Sequence, residues 1–377
     1  MLYQDVEPPP GNDLVTYGRR WFFTIAAGLS IWFIPAPVGI QIEAWHLLAI
    51  FVSTIVGIIV QPLSMGAVAM IGIIATVLTQ TLSIAEALSG FGNRVIWLIV
   101  TAFFISRGFM KTGLGARIAY LSIAWLGKKS LGLAYGFVAT DLVLSPAIPS
   151  NTARGGGIVY PILRSTAATY GSEPGGETSR RIGAFLMYTS FQGLNITSAM
   201  FLTSMAANPL AVELAGNLGI TLTWGTWAGA AVVPGLLSLL LIPYMIYKLY
   251  PPDIKETPDA VRMAKMKLEK MGKMAVSEWI MLVTFLLLLF LWIFGTYISL
   301  HSTSAALAGL GILLVTKVLT WDDVLEDHSA WNTLIWFAAV VMMSSYLNEL
   351  GLIPWFSETV KNIVPGTSWV LAFLVLI

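Results

Sequence analysis

Long apolar runs recur along the chain, each close to the roughly 20 residues that a helix needs to cross a bilayer core. They lie at 21–36, 43–61, 65–83, 224–249, 276–297 and 301–318. Three further runs are apolar but interrupted. The run 93–112 carries Arg94 and Arg107, 131–170 is split by SPAIPSNTARGGG at 145–157, and 182–207 is split at Gln192-Gly193-Leu194-Asn195. Two more lie at 332–352 and from about 367 onward. This pattern predicts an all-α integral membrane protein with several crossings and at least one broken helix.

One long polar interval stands between the runs, at 250–278. Two prolines open it, and Arg262, Lys265, Lys267, Lys270 and Lys273 alternate with Met263, Met266, Met271 and Met274. It reads as a solvated linker helix along the membrane, with a segment binding a partner or anionic lipid as the sharper alternative. Its basic excess, with Arg19-Arg20, places both on the cytoplasmic side. Lys111, Lys128 and Lys129 argue for the same side, which requires that one broken stretch dips in and returns, or that one further run crosses.

The linker separates two similar patterns. LSIAEAL at 82–88 matches LTWDDVL at 319–325, 237 positions on, and Ser83/Glu86 and Thr320/Asp323 share the spacing of a capping box. WLIVTAFFISRGFMKTGL at 97–114 matches IWFAAVVMMSSYLNELGL at 335–352, 238 positions on, pairing Ser106 with Ser344 and Gly113 with Gly351. The runs 43–61 and 65–83 map by the same shift onto 281–299 and 303–321. Two halves of matching hydropathy around a basic linker indicate a repeat-built transporter. A second copy of Ser150 would fall near position 388, beyond Ile377. The second repeat therefore reads as cut short, and a non-transporting fragment of a carrier stands as an alternative. The expected organisation is a cytoplasmic segment at 1–20, a first helix and first transmembrane repeat at 21–249, the basic cytoplasmic linker at 250–275, and an incomplete second repeat at 276–377.

Composition narrows the function. Of 377 residues, 56% are hydrophobic and 11% charged, against about 45–50% and 25% in soluble domains. A net charge of +1 gives no reason to expect a nucleic-acid partner. The absence of cysteine excludes disulfides, thiol chemistry and Cys-type metal sites. Histidine occurs only at 46, 301 and 328, without metal-ligand spacing, and no Ser/His pair is evident. A membrane-embedded hydrolase, which needs a metal or an activated nucleophile, is disfavoured; a non-enzymatic role is expected, with no resident metal or cofactor. The polar, Pro-rich start is neither a signal peptide nor a transit peptide. This favours a multi-pass protein of a bacterial inner membrane over one of a plastid envelope.

The candidate chemistry lies in residues 145–157. Backbone polar groups in the hydrocarbon region must be paired, so Pro146, Pro149 and Gly155-Gly156-Gly157 can interrupt a helix only where protein or a wet cavity surrounds them. The second half-helix then offers N–H groups and a positive dipole end suited to a carboxylate, and carbonyls of the other half could hold a cation. Arg154, a charge within the membrane, marks a functional site unless it snorkels or pairs with Asp141. Asp141 reads as an ion-pair partner or cap rather than a proton relay. The interruption at Gln192–Thr197 supplies either the opposing wall of the same cavity or polar glue between helices.

SNTARGGGIVYPI at 150–162 followed by SFQGLNITSAMFLTSMAANPLA at 190–211 resembles the divalent anion:sodium symporter family, in its branch of 2-oxoglutarate/malate translocators and bacterial dicarboxylate exchangers. The resemblance runs from about residue 20 to the chain end. It implies about eleven membrane helices in two inverted repeats with re-entrant hairpins, a homodimer and an elevator motion. Each repeat supplies one Ser-Asn-Thr loop, with the dicarboxylate between the two. Carried over, Ser150, Asn151 and Thr152 form the first loop, and Gly193 matches a glycine that helps complete the first cation site. Symporters of the family have an uncharged residue near Arg154, so a guanidinium there would substitute for sodium. The implied function is secondary transport of C4–C5 dicarboxylates by sodium-independent exchange, with sodium-coupled symport, Na+ being the coupling ion, as the alternative. The candidate substrate-binding residues are Ser150, Asn151, Thr152, Arg154, Gly193, Asn195 and Thr197. The candidate cation site, or its substitute, is formed by Ser145, Ser150, Asn151, Arg154 and Gly193.

Overall fold

Among the described residues every apolar run becomes helix, since a helix is the one way for a single segment in lipid to pair all its own backbone groups. The structure, a computed structural model, describes residues 13–217 and 219–363. Among these residues there is no strand, only an isolated antiparallel bridge between Lys129 and Glu256. The helices run in the order α1 (Asp13–Trp32), α2 (Ile42–Val60), α3 (Met65–Leu78), α4 (Ile84–Leu88), α5 (Arg94–Thr112), α6 (Leu114–Leu126) and α7 (Ser130–Leu144). After a loop and a π-helical stretch at Thr152–Val159 come α8 (Tyr160–Thr169), α9 (Gly183–Met200), α10 (Ala207–Asn217), α11 (Trp224–Leu249) and α12 (Pro258–Met271). The order closes with α13 (Val276–Phe294), α14 (Ser302–Val315), α15 (Trp321–Leu325), α16 (His328–Glu349) and α17 (Leu352–Ile363). Five of them, α2, α5, α11, α13 and α16, are long and apolar enough to cross a bilayer. On α11, Leu236, Leu237, Leu240 and Leu241 stay exposed, as side chains that face lipid would. The chain is a multi-pass integral membrane protein.

Its residues cluster into two compact units, one built from the chain up to Asn93 together with the chain from Trp331, the other from Arg94 to Ala330. In the first unit α1 packs on α2 and α2 on α3. Its core is Leu47, Ile50, Ile73, Met342, Met343 and Leu347, with alanines between them. Small residues bring backbones together there, as in membrane bundles generally. A Cβ on Gly90 would lie 2.2 Å from the Ala338 carbonyl oxygen, and Gly66 N–H donates to Asn332 Oδ1 at 3.0 Å.

The second unit packs α5 against α13 and α14, and α7 against α9, with α11 along α9. The linker helix α12 is seated on α6: Ala260, Met263 and Ala264 are buried, while Arg262, Lys265, Lys267 and Lys270 are exposed. Backbone and side-chain bonds hold the linker at both ends. Thr257 N–H and hydroxyl donate to the carbonyls of Lys128 and Gly127, and Ala260 N–H donates to the Tyr170 hydroxyl. Arg117 makes a bidentate pair with Glu278 at 2.6 and 3.0 Å and donates to the Gly272 carbonyl.

The internal repeat is visible in the backbone. The elements α2 to α6 recur in the same order, and at similar lengths, as α13 to α17. Both expected capping boxes form, Ser83 with Glu86 and Thr320 with Asp323. The positive-φ turns recur as well: Gln61 (53°) with Ser299 (55°), Gln80 (57°) with Lys317 (58°), and Gly113 (80°) with Gly351 (83°). Left-handed conformations are uncommon outside glycine, so their return 237 to 238 positions on reflects a shared backbone path.

Two sequence expectations are corrected. Helix α9 runs unbroken through Gln192–Asn195, and the chain unwinds later, at residues 201–206. Gly193 serves close packing: a Cβ there would lie 2.9 Å from Val138 Cγ2. The later break is tolerated because partners take up the freed groups. Asn208 Nδ2 donates to the Ser198 and Phe201 carbonyls at 2.7 and 2.9 Å, and Thr203 donates to the Pro146 carbonyl at 2.6 Å. Gly155-Gly156-Gly157 likewise does not stop the helix. It lies within the π-helical stretch, which runs on into α8, and π-turns of this kind often mark functional positions. The apolar run from about 367 and the expected second motif lie outside the described residues.

Candidate functional site

The hairpin formed by α7 and the 152–169 helix turns at residues 145–150, which carry Pro146 and Pro149. Proline lacks the N–H that a continuing helix would donate, so the α7 ladder ends at Leu144, with Ser145 still in helical geometry, and the next helix starts at Asn151. Ser150 caps that start, its Oγ accepting Ala153 N–H at 3.2 Å. This satisfies one of the donors that a helix start leaves without an internal acceptor.

Arg154 lies one turn inside, with 0% of its surface exposed. All five N–H donors of its guanidinium have acceptors. Nε donates to Asp141 Oδ1 at 3.0 Å. Nη1 donates to the carbonyls of Ile148 and Ser204, each at 2.6 Å. Nη2 donates to Ser198 Oγ at 2.9 Å and more weakly to Asn151 Oδ1 at 3.4 Å. The Asp141 carboxylate also accepts from Thr197 Oγ1. The Ser198 hydroxyl lies 2.6 Å from Asn151 Oδ1 and 2.5 Å from the Leu194 carbonyl, one of which takes its proton. Buried charge is tolerated only when paired and fully hydrogen-bonded, and this pair meets that condition. One side chain thereby joins α7, the hairpin turn, α9 and the unwound segment 201–206.

Beside this cluster, α7, α8 and α9 enclose a cavity of about 480 Å³. Asn151, Thr152, Gly155, Gly156 and Asn195 line its polar part together with Asp141, whose charge Arg154 offsets, and Phe137, Leu163 and Phe191 its apolar part. Ser190 also lines it, and its Oγ is buried without a hydrogen-bond partner. The two glycines leave backbone accessible where a side chain would fill the space.

The sequence-derived residues separate by position. Asn151, Thr152 and Asn195 line the cavity, and Ser150 caps the helix that carries two of them. Arg154 and Thr197 are turned inward onto Asp141. Ser145 is fully buried, its hydroxyl on the Leu142 carbonyl at 3.0 Å, and Gly193 backs onto Val138. Ser198, Ser204 and the Ile148 carbonyl were not singled out from the sequence. Ser198 and Ser204 are ordinary membrane-helix serines by composition, and only the fold brings them to Arg154.

Five oxygens, Asp141 Oδ1, Asn151 Oδ1, Ser198 Oγ and the Ile148 and Ser204 carbonyls, surround the guanidinium. Of the other residues expected at a cation site only Asn151 is among them; Ser145 bonds the Leu142 carbonyl, Ser150 caps the 152–169 helix and Gly193 packs on Val138. Among the described residues no cluster of three or more His, Asp or Glu side chains could hold a metal ion.

The model of the sodium:sulfate symporter transmembrane region matches residues 18–377. YflS of Bacillus subtilis, named a candidate malate transporter, is 59% identical over 93% of this chain and 74% of its own length. The chloroplast dicarboxylate transporter 1 of Spinacia oleracea is 52% identical over 94% of this chain and 63% of its own. The inner membrane protein YbhI of Escherichia coli is 40% identical over 90% and 72%. The chain thus spans between three-fifths and three-quarters of the length of these relatives. A match across nearly all of its residues makes this chain a member of the divalent anion:sodium symporter family.

Proposed function

We propose that this protein is a secondary carrier of C4–C5 dicarboxylates in the cell's plasma membrane, acting as a homodimer and exchanging one dicarboxylate for another without sodium. The names of the relatives support the substrate class. The observation that carries the exchange mode is Arg154. Its guanidinium lies in the loop where the family resemblance puts the first cation, and its five donors are all engaged, which supports a built-in positive charge in place of a coupling ion. The first loop is therefore ordered by a covalently attached cation, whatever the sodium concentration.

In this reading Asn151, Thr152 and Asn195 offer amide and hydroxyl groups to a substrate carboxylate, and the start of the 152–169 helix adds its positive dipole end. Arg154, Thr197 and Ser198 hold the loop in shape, and Asp141, which also borders the cavity, is held by them. Sodium-coupled symport is the second reading, favoured by the symporter description of the matching family.

Labelled malate uptake into proteoliposomes tests the choice. Exchange predicts uptake that needs internal dicarboxylate and ignores a sodium gradient. Uptake that needs sodium and ignores internal substrate overturns exchange and establishes symport.

A further inference from the structure

A second cavity, of about 590 Å³, opens elsewhere in the Arg94–Ala330 unit. Arg94, Glu213, Trp224, Trp292 and His301 line it, with Leu202. Chain connectivity gives its side of the membrane. Helix α11 runs from Trp224 into the basic linker and α13 leaves the linker toward Phe294. The Trp224 end of α11 and the 295–302 turn therefore lie at the far end of these helices. With the linker cytoplasmic by its basic excess, the cavity opens on the extracytoplasmic side.

Two donors converge there. The His301 ring caps α14, its Nδ1 accepting Thr303 N–H at 3.2 Å. An Nδ1 that accepts leaves the ring hydrogen on Nε2, so the cap selects the tautomer. Partial burial holds the His301 pKa below the ordinary imidazole value; the charge of Arg94 acts the same way and Glu213 opposes both. The ring thus turns its Nε2–H donor toward the cavity side of the cap. Arg94 heads α5, and Thr303 Oγ1 donates to its carbonyl at 2.8 Å, which ties the backbone carrying Arg94 to the turn carrying His301. The starts of α5, α11 and α14 all lie here and add positive dipole ends to the guanidinium.

The cavity is also coupled to the first loop. Trp224 and Trp292 form a stacked wall, with ring centroids 6.2 Å apart. Trp224 Nε1 donates to Thr203 Oγ1 at 3.1 Å, and Thr203 Oγ1 donates to the Pro146 carbonyl in the hairpin turn. The unwound segment 201–206 thus presents Leu202 to this cavity and the Ser204 carbonyl to Arg154.

We infer that this cavity is a second dicarboxylate-binding site, an extracytoplasmic staging site in which one carboxylate meets Arg94 and His301 and the carbon chain lies against Trp224 and Trp292. Glu213, on α10, also lines the cavity and opposes the charge of Arg94 at His301. The inference rests on the transport reading for its ligand class.

Proteoliposomes with the carrier in one orientation test it. Arg94→Gln and His301→Leu are expected to raise KM for external malate about tenfold or more, as for loss of a hydrogen bond to a charged group, with maximal rate and internal KM unchanged. Arg94→Lys, which keeps the charge, should stay near wild type. An unchanged external KM, or equal rises on both faces, overturns the inference. Malate titration of the solubilised protein separates the two readings. Binding that survives Asn151→Ala with Thr152→Ala, and is lost on adding Arg94→Gln, sustains this site even if the wild type moves no malate. Loss of all binding with the two loop substitutions alone overturns it.

Discussion

A single buried side chain organises the first loop. Arg154 and Asp141 carry opposite charges, so the pair is neutral overall and the loop presents dipoles and hydroxyls to the cavity instead of a net charge. Arg154→Ala leaves Asp141 buried without its partner, and such losses destabilise by about 3–5 kcal/mol; chemical unfolding of the solubilised protein should show it. Uptake by this variant should fall or become sodium-stimulated, and unchanged uptake with unchanged sodium dependence removes the built-in-cation reading. Thr152→Val provides the contrast. That side chain is exposed and lines the cavity, so stability should stay within about 0.5 kcal/mol while KM for malate rises. A stability loss as large as that of Arg154→Ala would show that Thr152 is structural. Asn151 and Thr152 could be read from the sequence as a polar run between prolines and glycines. For Arg154 the sequence offered pairing with Asp141 as one alternative, and that pair forms; its other acceptors, from residues 148, 151, 198 and 204, could not be read.

At the scale of elements, local signals did well where they were local in cause. The capping boxes at Ser83/Glu86 and Thr320/Asp323 needed only residues three apart, and both formed. Helix α9 shows the limit. Polar residues at 192–197 look like a break, yet the backbone stays helical through them, and their side chains find partners without unwinding it, as Thr197 does on Asp141. The break falls at 201–206, where Asn208 and Pro146 supply partners from outside the segment. Close packing sets another element-scale test. Gly90→Ala would drive a methyl into the Ala338 backbone, where relief needs helix displacement, so a loss of about 1–3 kcal/mol is expected in thermal or chemical unfolding. Charge at the α5–α15 contact gives a pH test. Partial burial pushes the Asp323 carboxyl up, but hydrogen bonds from Lys111 and Thr320 outweigh it and hold the pKa at about 2, against an ordinary 3.8. Because the folded value is the lower one, this stabilisation is complete above the ordinary value and is lost as pH falls toward 2. The gap in unfolding midpoint between wild type and Asp323→Asn should therefore be present at pH 6 and close toward pH 2; a constant gap refutes the assignment.

For the whole molecule, the proposed exchange mode sets a test. If Arg154 stands in for a coupling ion, as proposed, the loop cannot release that charge, and the return step is expected to require substrate. Vesicles loaded with labelled malate should lose little of it into substrate-free medium and much more once external dicarboxylate is added. Equal loss under both conditions contradicts this mechanism. The repeat strengthens the family assignment independently of identity, because the positive-φ turns at Gln61, Gln80 and Gly113 return at Ser299, Lys317 and Gly351.

The sequence by itself determined the solvent, the class of structure, the repeat and the place of the first loop. These depend on hydropathy over about twenty residues and on short spacings, both properties of contiguous chain. Only the tertiary structure decided how the residues from Arg94 to Ala330 gather into one unit, where α9 unwinds, which hydroxyls reach Arg154, and that Arg94, Glu213 and His301 share a cavity. Those outcomes depend on partners dozens to hundreds of positions apart. In a membrane interior they are decided by which distant group satisfies each buried donor and acceptor.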